Sequence, residues 1–290
     1  MKTAAIFYPK LIRERQVMKK VMSIILLFVA CEHLPDNKAG VEIFNEKNEP
    51  AFEYFQEDNY YLCKPWNYDE DWNKNRTYPL VVKLHGGGGA GDPCDLFHLG
   101  KDGFANLKKT YLCFIYAAQT SGSWNNTLLI DQIEKLKNSY RIDTNRIYLI
   151  GYSMGGSGSY SLANAYYDFN KHLFAGIIRL AGQSQPSVRD AIAKRTSIWL
   201  HIGLKDTERR IRVTRRAYDY IKNYYPNVSE ESERINIVGH PGTTLTLTKN
   251  HIEILKKTEY DNDGHAIYNF PYHNNNFFKW LFTQSLQYRK

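Results

Sequence analysis

Five short apolar runs recur along the chain with helix-length amphipathic segments between them, and this alternation constrains the fold more than any other feature. "PLVVKLHG" (79–86), "YLCFIYAAQ" (111–119), "RIYLIG" (146–151), "FAGIIRLAG" (174–182) and "SIWLHIG" (197–203) are nearly continuous hydrophobic runs of strand length, as expected of strands buried on both faces. "NNTLLIDQIEKLKNSY", "SGSYSLANAYYDF" and "RIRVTRRAYDYIKNYY" carry apolar residues at helical spacing. The alternation predicts an α/β protein: a mostly parallel central sheet with helices on both faces. Near the end, "INIVGHPGTTLTLTKNHIEILKKTEY" reads as a hairpin followed by the last core strand. With 290 residues and 43% hydrophobic content, the chain can bury one large core in a domain of roughly 240 residues.

The third run ends in Gly151-Tyr152-Ser153-Met154-Gly155-Gly156. In a strand–turn–helix setting, G-x-S-x-G makes a tight elbow that lifts the Ser hydroxyl above the sheet at a helix N-terminus. Ser153 is therefore the candidate nucleophile. The dinucleotide pattern G-x-G-x-x-G is not matched, which disfavours a phosphate cradle.

A nucleophilic Ser needs a base, an acid to orient that base, and donors for the oxyanion. Upstream, His85 and the run Gly86 to Gly89 follow the strand "PLVVKL", where a backbone N–H can be aimed at developing charge. Downstream, Asp206 lies 53 residues beyond Ser153, in the loop after "SIWLHIG". His265 follows in "DNDGHAIYNFPY", with Asp261 and Asp263 close enough to leave the choice of acid open. Ser, then Asp, then His, preceded by a Gly-rich turn, is the α/β-hydrolase order. The short interval from Ser153 to Asp206 holds about two helices and two strands and leaves no room for a cap domain, so the cleft should be open. Gln119 and Trp124, at the end of a strand and in the loop after it, are expected at its rim.

Charge excludes other classes. The formal net charge is +8, but the first 30 residues carry six basic side chains against Glu14 alone, and only +3 remains for the body. No basic run with interleaved aromatics survives there, so a nucleic-acid partner is not expected. The front reads as a leader instead: Met18-Lys19-Lys20, then "VMSIILLFVA", then Cys31, the charged, apolar and small-residue succession of a secretory signal. It is too short to span a bilayer. Cys63, Cys94 and Cys113 read as buried small hydrophobes, with at most one disulfide among them. His98, His172, His201, His240, His251 and His273 form no metal-ligand spacing, so neither a metal nor another cofactor is expected.

"YPLVVKLHGGGGAG", "DTNRIYLIGYSMGGSGSYSLA", "SIWLHIGLKD" and "GHAIYNFPYHNNNFFKWLFTQ" together resemble secreted bacterial α/β hydrolases of the feruloyl and acetylxylan esterase type. That group also takes in polyhydroxybutyrate-depolymerase-like proteins and predicted peptidases related to prolyl oligopeptidase. The resemblance runs from about Tyr54 to Tyr288. It implies an α/β-hydrolase fold, Ser153 as nucleophile, Asp206 as acid, His265 as base, and oxyanion donors from the backbone N–H groups of Gly87 and Met154. Likewise "LLFVAC" resembles the lipobox of bacterial lipoproteins, which implies lipidation of Cys31, export, and contact with a membrane only through that anchor. The domain reading that follows is 1–30 leader, 31–50 linker and 51–290 catalytic domain. Two departures bear on substrate: about fifteen extra residues around "GHPGTTLTLTKNHI", which could overhang the site, and Tyr268 where the group usually has a Trp. The expected activity is hydrolysis of acetyl or feruloyl-type esters on polysaccharide. A serine peptidase and a non-catalytic binding protein on the same scaffold are the alternatives.

Overall fold

The structure, a computed structural model, describes residues 41–42, 52–69, 74–89, 107, 110–184 and 187–289. All belong to one compact unit, Gly40–Lys290. The leader, Cys31, Cys94 and His98 lie outside the described residues.

Among the described residues, eleven strands form one sheet in the order β1-β2-β3-β5-β4-β6-β7-β8-β11-β10-β9. Its centre is β4 (Tyr78–Leu84), β5 (Phe114–Ala118), β6 (Ile142–Tyr152), β7 (Phe174–Leu180), β8 (Ser197–Gly203) and β11 (Ile252–Tyr260), six strands parallel to one another. Antiparallel strands extend both edges: β1 (Val41–Glu42), β2 (Phe52–Phe55) and β3 (Tyr60–Cys63) on one side, β9 (Glu230–Ile237) and β10 (His240–Lys249) on the other. All five expected core runs are strands. The aromatic hairpin of β2 and β3 had no periodicity to announce it.

Side-chain alternation along the central strands divides the core in two. Val82, Leu84, Tyr116, Ile147 and Leu149 face one side, where α1 (Asn126–Ser139), α2 (Met154–Asn170), α3 (Asp190–Arg195) and α4 (Glu208–Lys222) contribute Ile133, Tyr160, Ile192 and Tyr218. Val81, Ile115, Tyr148 and Ile150 face the other, against Phe277 and Leu281 of α5 (Asn275–Thr283). Fully burying such a side chain contributes about 1.5–3 kcal/mol, which is why runs apolar on both faces hold the middle of the sheet. Cys63 and Cys113 are both buried, and burial pushes the Cys113 thiol well up.

The chain steps from β4 to β5 on one side, then crosses back over β4 to β6 and continues through β7, β8 and β11 in the other direction. The carboxyl ends of β4 and β6 therefore flank the point where strand order reverses, where open α/β sheets form their crevice. The interval from Ser153 to Asp206 holds α2, β7, α3 and β8, as expected without a cap. The extra segment expected to overhang the site does something else. Its residues form β10 and the turns beside it, hydrogen-bonded into the sheet plane.

Candidate active site

Strand β6 leads directly into α2 through a turn that only glycine permits on either side of Ser153. A Cβ on Gly151 would sit 2.1 Å from the Gly155 carbonyl oxygen, and one on Gly155 would sit 2.1 Å from that of Leu84. Helix and strand thus touch backbone to backbone. Ser153 between them has φ 52° and ψ −108°, a sparsely populated conformation that costs about 1–3 kcal/mol and persists only where surroundings enforce it. Its N–H is held by Leu180 O of β7 at 2.8 Å. Although Ser153 occupies the N-cap position, its hydroxyl does not cap the helix; it goes elsewhere.

Ser153 Oγ lies 2.8 Å from His265 Nε2, and His265 Nδ1 lies 2.8 Å from Asp206 Oδ2. A carboxylate beside Nδ1 makes that nitrogen the protonated one, so Nε2 is the acceptor facing the Ser hydroxyl. The three side chains come from the ends of β6, β8 and β11. Asp261 and Asp263 are engaged elsewhere, Asp261 with Arg234 and Asp263 with His240 Nδ1 at 2.7 Å.

The Gly-rich turn after β4 is organised by His85. Its Nε2 accepts from the Thr120 N–H at 3.3 Å, which leaves the proton on Nδ1 to donate to Gly86 O at 2.7 Å. With the Gly86 carbonyl turned to His85, the trans peptide directs the Gly87 N–H the opposite way. Gly87 opens a short 3₁₀ turn, Gly87–Gly89, and lines a cavity of about 360 Å³ together with Ser153, His265, Tyr152, Tyr268 and Tyr272. Met154 is the first residue of α2, so its N–H is one of the four that the helix itself cannot satisfy.

Gln119 and Trp124 are not among the residues lining this cavity. Gln119 is buried. Trp124 packs with its ring 4.7 Å from that of His85 and fills the space beside Gly158, behind the Gly-rich turn. Tyr268 does line the cavity, 5.3 Å from Tyr152.

Two participants escaped the sequence reading. Tyr152, inside the elbow itself, donates its hydroxyl to His265 O at 3.1 Å; burial, with Tyr268 and Asp206 nearby, lifts its phenol to about 12, so it stays a donor. His240, read as an ordinary polar His, reaches the loop that carries His265. No group of three or more His, Cys, Asp or Glu side chains is disposed to hold a metal among the described residues.

No family model and no curated protein matches the sequence. Solved structures do. A thermostable esterase superposes with TM-score 0.55 at 24% identity over 78% of this chain, which spans only 59% of that protein's length. An acetyl xylan esterase from Aspergillus awamori gives TM-score 0.55 at 15% identity, covering 77% of this chain and 95% of that one. A ferulic acid esterase gives 0.51 at 13%, covering 78% and 91%. At these identities the likeness is one of fold.

Proposed function

We propose, from the α/β-hydrolase fold that the chain adopts, that it is a serine hydrolase of carboxylic esters working through an acyl-enzyme. The observation that carries this reading is the unbroken hydrogen-bonded chain Ser153–His265–Asp206 on a strained turn that opens into a cavity. As Ser153 Oγ attacks the ester carbonyl, His265 Nε2 takes its proton, and Asp206 orients the ring and stabilises its positive charge. The N–H groups of Met154 and Gly87 receive the developing oxyanion. His265 returns the proton to the leaving alcohol, and water then attacks the acyl group by the same route.

The preferred substrates in this reading are acetyl or feruloyl-type esters on polysaccharide. Support comes from a cavity walled by Tyr152, Tyr268 and Tyr272, since aromatic faces stack on sugar and phenyl rings, and from the acetyl xylan and ferulic acid esterases that share the fold. The test compares kcat/KM for acetyl, feruloyl and long-chain acyl esters and a prolyl peptide, with Ser153→Ala as control. Acetyl or feruloyl esters should be preferred, and Ser153→Ala should lose roughly 10⁴–10⁶ in kcat. Preference for the long chain or the peptide would overturn the substrate assignment.

A further inference from the structure

The side chain of Asp206 is only 1% exposed, and a carboxylate so far from water needs partners for both oxygens. Oδ2 faces His265. Oδ1 accepts from the Thr207 N–H at 2.6 Å and from Arg210 Nη1 at 3.0 Å. Arg210 stands in the first turn of α4, four residues beyond Asp206. Its other terminal nitrogen, Nη2, donates to Gln183 Oε1 at 3.0 Å. Gln183 belongs to the loop after β7, and the N–H groups of Gln183 and Ser184 both donate to Ser157 Oγ at 3.1 Å, in the first turn of the helix that Ser153 precedes. A single planar guanidinium therefore joins the loop holding the acid to the loop gripping the nucleophile's helix. The neighbouring arginines do not do this: Arg212 faces Glu208 at 3.7 Å in solvent, and Arg215 pairs with Glu259.

We infer that Arg210 is a positioning residue that fixes the plane of the Asp206 carboxylate so that Oδ2 meets His265 Nδ1, with Gln183 as its second anchor. The inference rests on the serine-hydrolase reading above and deepens it. A guanidinium fork holds two acceptors in a fixed mutual geometry, which a single ammonium cannot do. Without the fork, Oδ1 keeps only the Thr207 N–H, the carboxylate is free to swing about that bond, and the imidazole loses its orienting partner. A small misalignment of such a relay lowers turnover without altering how the ester docks.

The test measures kcat and KM on an aryl acetate for Arg210→Gln, Arg210→Lys, Asp206→Asn, the double variant D206N/R210Q, and Arg212→Gln as a control on the same helix. Arg210→Gln should lose about 10–100-fold in kcat with KM within about twofold, Arg210→Lys should fall between it and wild type, and Arg212→Gln should match wild type. In the Asp206→Asn background Arg210→Gln should lose nothing further, because it acts through that carboxylate. Wild-type kcat in Arg210→Gln, or an equal loss with and without Asp206, overturns the assignment. Should Arg210→Gln fail to fold, Arg210→Lys carries the same comparison: a kcat loss that vanishes beside Asp206→Asn supports it, and wild-type kcat overturns it. Ser153→Ala separates the two failures. If it is as active as wild type, the serine-hydrolase reading falls and takes this one with it; if it is inactive beside a fully active Arg210→Gln, only the role of Arg210 falls.

Discussion

The centre of the sheet and the edge added at β9 and β10 are held by different forces. Strands β5, β7 and β8 are buried at every position, so apolar burial secures them, and beside them close backbone contact at Gly151 and Gly155 fixes how α2 meets β6 and β4. In β9 six of eight residues are exposed; what secures it is the backbone ladder to β10, the pair of Lys222 with Glu230, and Arg234 with Asp261. Exposed pairs of this kind contribute about 0–1 kcal/mol each. Yet the edge acts on the site. The Asp261 N–H donates to Pro241 O at 2.9 Å, His240 binds Asp263, and the His240 ring lies flat on Phe270 at 3.7 Å. These contacts bracket His265. The buried region supplies stability and the lightly held edge braces a loop, so damage to the two should read out differently, in folding for the first and in turnover for the second.

The largest stability effect should come from protons reaching the centre. His201 on β8 is fully enclosed, and burial, aided by the charge of Lys256, lowers its pKa to about 3. The unfolded chain protonates this side chain near 6.5, so between the two values it binds the extra proton, and stability falls as pH drops from about 6.5 towards about 3. The slope from this one group is about 1.4 kcal/mol per pH unit. Urea midpoints measured across that range should show it, and His201→Gln should flatten it. An unchanged slope in the variant would remove His201 from the account.

Next in size is a pair of glycine substitutions. Gly151→Ala drives a Cβ into the Gly155 backbone and should cost about 3 kcal/mol or more. Gly239→Ala at the β9–β10 turn meets open space, but at φ +86°, and should cost only about 1–2 kcal/mol. Equal losses would erase the distinction between close packing and turn strain.

The smallest effect is the most informative about the edge. His240→Ala should lower Tm by only about 2–4 °C while reducing kcat roughly tenfold, about 1.4 kcal/mol of transition-state stabilisation. If kcat were untouched while Tm fell, the hairpin would be a sheet extension and not a brace.

Much of this protein was legible before any coordinates. The five core strands followed from local hydrophobic runs, and the elbow at Ser153 from the glycines flanking it at the end of a strand-like run. Chain order pointed to His265 as candidate base and Asp206 as candidate acid, because strand ends in a parallel sheet emerge at one side, but it left Asp261 and Asp263 open as acids. Beyond that, short-range pattern carried no information. Strand β9 starts in "EESER", where nothing is buried, and its pairing is set by a partner strand rather than by its own side chains. Trp124 was expected at the cleft and packs behind it, since a loop aromatic can turn to either side. The roles of Tyr152, Arg210 and His240 depend on contacts between elements up to 113 residues apart in sequence. Local burial and backbone sterics are written in each segment. The choice of acid among three carboxylates, and the clamp that holds it, exists only once the sheet has brought the ends of β6, β8 and β11 together, because a hydrogen-bonded relay requires distances near 2.8 Å that no single segment specifies.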